Sequence, residues 1–187
     1  MKVSREQAAL NRERIVEEAG KLFRERGYDG IGVADLMKGA GLTHGGFYGH
    51  FASKEALLAE ATARGLEAAV QRWQRTAEQS PQTALAKISH SYLSKTHVEQ
   101  PALGCSITAL GADVARLGPA ARHAVTCGAQ GQIGVLEQLM PGDDEAERRK
   151  QALVAYAGMI GAVVLARAVD DPALSAEVLQ AMAATLG

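Results

Sequence analysis

The stretch Leu42–Phe51, LTHGGFYGHF, decides how this chain is to be understood. Gly45, Gly46 and Gly49 crowd into five positions, and each costs a helix interior roughly 1 kcal/mol against alanine. Yet Phe47 and Phe51 stand four apart, and helical sequence continues on both sides. Weak helix formers kept at such a place point to a backbone that must come close to something.

Working outward, residues 4–26 read as a helix. Ser4 with Gln7 fits a capping box, Ile15, Ala19, Leu22 and Phe23 make one buried stripe, and Gly27 follows the last periodic residue. A second helix covers 33–40, with Gly32 as its N-cap, Val33, Leu36, Met37 and Ala40 inward, and Gly41 ending it. Thr43 caps a third short helix over roughly 44–50. Ser53 then caps a long helix, opened by Lys54 and Glu55 and running to about Glu78. Two short helices joined by Ala40-Gly41-Leu42 form a helix-turn-helix. In such a unit the second helix enters the major groove with its N-terminal end toward the base edges. Glycines there let phosphates and bases approach, and the helix-end amides favour phosphate charge. The lost propensity, roughly a few kcal/mol at most, is offset by packing of Phe47 and Phe51.

The five prolines punctuate the remainder of the chain. Pro81, Pro119 and Pro172 come after Ser80, Gly118 and Asp171, as suits a first helical turn; Pro101 and Pro141 lie in breaks. Helices are expected near 81–98, 104–116, 119–139, 144–169 and 172–185. The expectation is an all-α fold of about nine helices, divided at 1–52 and 53–187. The 187 residues, 47% hydrophobic and only 4% aromatic, suit such a core of alanine and leucine.

Charge gives no global sign of nucleic acid binding: the formal net charge is −1. Within residues 1–60, nine Lys and Arg meet nine Asp and Glu. DNA binding must therefore rest on one local face. Cys105 and Cys127 are too few for a disulfide scaffold, the N-terminal sequence has no apolar secretory stretch, and the longest apolar run, 152–166, falls short of the ~20 residues that span a bilayer. A reduced cytoplasmic protein without a membrane segment is expected. The five histidines and two cysteines show no metal spacing, so no metal or cofactor is expected.

GAGLTHGGFYGHFASKEALLAEA (39–61), together with RIVEEAGKLFRERGYDGIGVADLMKGAGL (14–42), closely resembles the DNA-binding domain of the TetR family of transcriptional regulators. The resemblance covers about a third of the chain. It implies a homodimer on a palindromic double-stranded DNA operator, most often a repressor, released when a small molecule enters the C-terminal domain. Carried over by position, Thr43, His44 and Gly45 open the recognition helix, with the Gly46 backbone beside them. Tyr48 touches a phosphate, His50 lies near the backbone, and Lys54 binds phosphate at the start of its helix. Arg5 and Arg12 are candidates for an N-terminal arm. Ala34 and Gly49 depart from the family, standing where many members carry larger or polar side chains. That shrinks the contact set and leaves more of the operator to be read by shape.

Helix 144–169 begins charged and then turns almost wholly apolar, with small residues Ala157, Gly158, Gly161 and Ala162 that let backbones approach closely. Exposed, it would be a large apolar patch. A two-fold interface is expected from Tyr156, Ala157, Ile160, Gly161 and Val164, joined by Leu174, Val178 and Met182. It would set two recognition helices ~34–36 Å apart, one turn of DNA. The effector site is expected between 81 and 139, where His90, Tyr92, His97, Cys105, Thr108 and Cys127 are candidate linings. Cys105, at a helix start, is also a candidate for reaction with electrophiles or oxidants, since such positions favour thiolate. No phosphate loop, paired carboxylates or nucleophile elbow appears, so no enzyme is expected. An enzyme or a helical adaptor carrying an accessory helix-turn-helix is the alternative.

Overall fold

The computed structural model describes residues 4–186. Those residues form nine α-helices and two 3-10 turns, with no strand among them. The α-helices are α1 (Arg5–Arg26), α2 (Val33–Gly39), α3 (Lys54–Gln79), α4 (Ala84–Tyr92), α5 (Lys95–Glu99), α6 (Ser106–Val114), α7 (Pro119–Leu139), α8 (Glu145–Ala168) and α9 (Pro172–Ala184).

Local chemistry sets most of the boundaries. Ser4 caps α1 by accepting from the Gln7 amide at 3.1 Å, while the Gln7 side chain turns away to Asn11 instead of closing the capping box. Ser53 caps α3 by accepting from the Ala56 amide, and Asp144 and Asp171 do the same for α8 and α9. Gly41 has φ +69°, a conformation that suits glycine, and lets the Leu42 amide reach back to the Met37 carbonyl.

Two expectations need correction. Residues 44–49 form a 3-10 turn rather than an α-helix, so its side chains advance by thirds of a turn. The helix expected over 81–98 starts only at Ala84, with Pro81 in the turn before it and not in a first helical turn, and it breaks at Leu93, where Ser94 accepts from the His97 amide and starts α5 anew.

The apolar residues gather in two clusters. One joins Ile15, Phe23, Leu36, Met37, Phe47 and Phe51 to Leu57, Leu58, Leu110, Val114 and Ala121, so it takes in residues from α3, α6 and α7. The other lies among α3, α4, α7, α8 and α9 around Leu66, Trp73, Tyr92, Leu136, Tyr156 and Met159. α3 and α7 pair most extensively. Their closeness depends on Gly128, where a Cβ would fall 2.5 Å from the Leu66 side chain.

Candidate DNA-binding surface and internal cavity

The tip of the molecule is built on Phe47. Its ring is fully buried, 5.8 Å from Phe51 and edge-on to Tyr48 at 5.2 Å. With that anchor in place, the rest of the 3-10 turn faces outward: Thr43, His44, Gly45, Gly46 and Gly49 are exposed, and Tyr48 is 71% exposed. Cβ atoms at Gly45 and Gly49 would meet nothing within 4 Å. Internal packing therefore does not explain these glycines. His50 is half-buried beside Phe51. Lys54 sits at the N-terminus of α3 with Nζ 4.3 Å from the centre of the Tyr28 ring.

The two arm candidates behave differently. Arg5 is the exposed first residue of α1. Arg12 is no part of an arm: it lies within α1, stacks over Phe51 at 4.7 Å and forms a two-pronged ion pair with Glu60 of α3. Glu60 also raises the pKa of the Arg12 guanidinium.

Deeper in the molecule, α3, α4, α5 and the turn Pro101–Leu103 enclose a cavity of about 430 Å³. Leu66, Ala69, Trp73, Ile88 and Tyr92 supply its apolar wall, and Gln132 closes the far side from α7. Among the ligand candidates, Tyr92, His97 and Cys105 line the cavity. The other three do not. His90 and Cys127 sit on exposed faces of α4 and α7, and Thr108 is turned to Arg167, which donates to its hydroxyl at 3.2 Å. The α3 residues of the wall lie outside the 81–139 stretch to which the sequence confined the site. Their signal in the sequence is the helical spacing of Leu66, Ala69 and Trp73.

A buried polar shell holds the cavity wall. His97 Nε2 accepts from the Cys105 amide at 2.9 Å, so Nδ1 carries the hydrogen and donates to the Tyr92 carbonyl at 2.6 Å. Burial depresses the His97 pKa, with Arg167 adding to it and the Tyr92 carbonyl opposing. Tyr156 donates to Gln132 Oε1 at 2.7 Å. The Tyr92 hydroxyl is buried without a hydrogen-bond partner. Burial first, and then the neighbouring Cys105, push its ionisation far above the ordinary phenol range.

The interface candidates divide by face. On α8, Ala157, Gly161 and Val164 are exposed along with Val154. Leu174 on α9 is also exposed. Tyr156 is a correction: it points into the core, where Gln132 holds it. Ile160, Val178 and Met182 are half-buried against the chain's own core. Among the described residues no cluster of His, Cys, Asp or Glu could hold a metal ion.

Known proteins share both sequence and architecture. Residues 15–61 match the model of bacterial regulatory proteins of the tetR family. The HTH-type transcriptional repressor NemR of Escherichia coli K12 is 30% identical over 166 residues, 83% of each chain. The crystal structure of E. coli NemR in its reduced form superposes with a TM-score of 0.75 at 28% identity, covering 94% of both chains. A TetR regulator from Legionella pneumophila, 17% identical, gives 0.78 over the full length of both and shows the common fold. With a matched DNA-binding segment and a repressor relative along most of its length, this chain belongs to the TetR family of ligand-responsive, DNA-binding transcriptional regulators.

Proposed function

We propose that this regulator is a homodimeric repressor in the cytoplasm, released from a palindromic operator by a small molecule held in the α3–α4–α5 cavity. It acts by binding, not catalysis. The observation that carries the DNA-binding reading is the contrast within one turn: Phe47 is sealed in the core, while Gly45 and Gly49 present bare backbone to open space. Such a tip admits a phosphate or base edge at backbone distance, with Tyr48 and Lys54 as flanking phosphate contacts.

The support for dimerisation comes from α8. Against the expectation of no membrane-length segment, α8 is long and apolar enough by length and composition alone to cross a bilayer, a test that a core helix also passes. One face is buried against its neighbours and the other exposes Leu153, Val154, Val164 and Leu165. A second copy would cover that face. The cavity is coupled to the DNA-binding head by Arg24, whose guanidinium holds the turn at its floor.

One observation favours a covalent form of the same response. Cys105 lines the cavity whereas Cys127 lies outside it. An α,β-unsaturated carbonyl compound entering there would form a bond from Cys105 Sγ to its β-carbon, the thiol proton passing to the α-carbon. Alkylation should then weaken operator binding in the native protein and spare Cys105→Ser; equal loss in both would exclude it. The main reading is tested by footprinting and gel shift across salt concentrations. Protection of paired half-sites about one helical turn apart, with affinity falling steeply as salt rises, is expected. Salt-independent or unpaired binding would overturn it.

A further inference from the structure

We propose that the cavity is built for a small aromatic carboxylate, a flat apolar body carrying one anionic group. This rests on the cavity's being the effector site.

The lining contains no aspartate or glutamate, while Arg72 and Lys87 both contribute to it. Both are exposed and mark the cavity's open side. Among the described residues, neither pairs with a carboxylate; Lys87 Nζ reaches only the Ser80 hydroxyl, at 2.6 Å. Two further cations stand behind the wall. Arg24 is held by the Ala102 carbonyl, and Arg167 by the carbonyls of His97 and Val98 and the Thr108 hydroxyl. Carbonyl dipoles satisfy these guanidinium hydrogens but leave their charge in place. Arg24 lies near enough to Arg72 for the two to repel. Four cations thus surround one partly enclosed space with no carboxylate to balance them, and the potential inside favours an anion.

The interior sets the body of the ligand. Trp73 lies edge-on to Tyr92 at 5.9 Å and to Tyr156 at 6.2 Å, each pair near a T-shape. Leu66, Ala69 and Ile88 complete an apolar wall. Tyr92 and Gln132 bring polar atoms to this lining. The Tyr92 hydroxyl, in a residue only 6% exposed, is sealed beside Cys105. Gln132 has its carbonyl oxygen taken by Tyr156 and so offers its amide hydrogens. The volume, about 430 Å³, lies in the lower part of the range for small-molecule pockets. One or two fused rings with a carboxylate fit it.

Naphthoate and its neutral analogue naphthamide provide the test, with calorimetry on the intact protein and gel shift on its operator. Trp73 is the only tryptophan in the chain, so its fluorescence reports occupancy directly. Naphthoate should bind about tenfold or more tighter than naphthamide, as expected for a charge-assisted contact. It should also quench Trp73 and release operator. In Arg72→Gln/Lys87→Gln, which leaves Arg24 and Arg167 in place, the preference for the acid should fall by at least about threefold; both residues are exposed, so the fold is not at risk. Equal or tighter binding of the amide in the native protein would overturn the charge assignment while leaving the cavity as the effector site. Failure of naphthoate to bind, or an unchanged preference in the double variant, would also overturn it. Acid binding that persists undiminished in Ser91→Phe, which blocks the open side, would place the ligand elsewhere and remove both readings.

Discussion

Arg24, in the last turn of α1, donates from Nε to the carbonyl oxygen of Ala102 at 2.9 Å. The two are 78 residues apart. Arg24 belongs to α1, whose buried stripe shares one core cluster with Phe47 of the DNA-binding tip, and Ala102 to the turn Pro101–Leu103, of which Leu103 and the flanking Gln100 and Gly104 line the cavity. Two more long-range bonds lie along the same side of the chain's core: the Tyr28 amide, just after α1, donates to Asp113 of α6, and the Gly118 amide, just before α7, donates to Glu55 of α3. On the proposed function, a ligand that shifts the turn should act on α1 through this guanidinium. Its effect is bounded by its difference in affinity for the two arrangements.

Arg24→Met should separate binding from response. Operator affinity without effector should stay within a few-fold, effector-driven release should weaken by about tenfold, and stability should fall by about 1–3 kcal/mol for the lost charged hydrogen bonds. Gel-shift titrations with and without effector measure the split. Unaltered release would show that coupling runs through another contact.

Neighbouring aromatics on the 3-10 turn should have opposite phenotypes. Phe47→Ala empties a fully buried site and should cost about 3–5 kcal/mol of stability, read by denaturant unfolding. Tyr48→Phe removes one hydroxyl from a residue 71% exposed; stability should change by less than about 0.5 kcal/mol. Operator affinity should nevertheless drop about fivefold, the worth of one phosphate hydrogen bond. If Tyr48→Phe binds as the native protein does, the hydroxyl makes no phosphate contact.

Much of this fold was legible because caps and punctuation are local. Ser4, Gly27, Gly41, Ser53, Asp171 and Pro172 each act within one turn of their own position, and the α1 stripe of Ile15, Ala19 and Phe23 is buried as its spacing implies. What failed had either a weak local signal or a distant partner. No glycine or proline marks the break at Leu93, which only Ser94 capping His97 reveals. The apolar half of α8 offers small residues all round, so periodicity alone could not tell that Tyr156 shares the inward stripe of Ala152, Ala155, Met159 and Val163. Arg12 looked like an arm residue because its partner Glu60 lies 48 positions away. The cavity was half-found for the same reason: its largest ring, Trp73, comes from α3, outside the stretch that suggested a ligand site.

His97 makes stability depend on pH in a definite direction. Its native pKa is pushed below the usual ~6.5, chiefly by burial. The unfolded chain therefore takes up the proton first as pH falls. The stability this residue contributes is complete above about pH 6.5 and is lost as pH drops through the lower native value. Protonation would also put a hydrogen on Nε2, where the Cys105 amide donates. His97→Gln, which cannot titrate, should flatten the fall in melting temperature between about pH 7 and pH 5. Parallel curves for the two proteins would mean that other groups set the acid sensitivity.

Gly161 offers the sharpest test of the dimer. It is exposed on α8 beside Ala157 and Val164, and a Cβ there would meet nothing within 4 Å in the single chain. Gly161→Leu should thus leave the folded protomer intact, and should favour the helix by up to about 1 kcal/mol. Across a close two-fold contact the same side chain would collide with its own copy. Sedimentation equilibrium should show a shift toward monomer with helicity unchanged by circular dichroism. Operator affinity should fall by at least about tenfold, because two half-sites are no longer engaged by one linked pair. A variant that stays dimeric and binds operator normally would move the interface away from this face of α8.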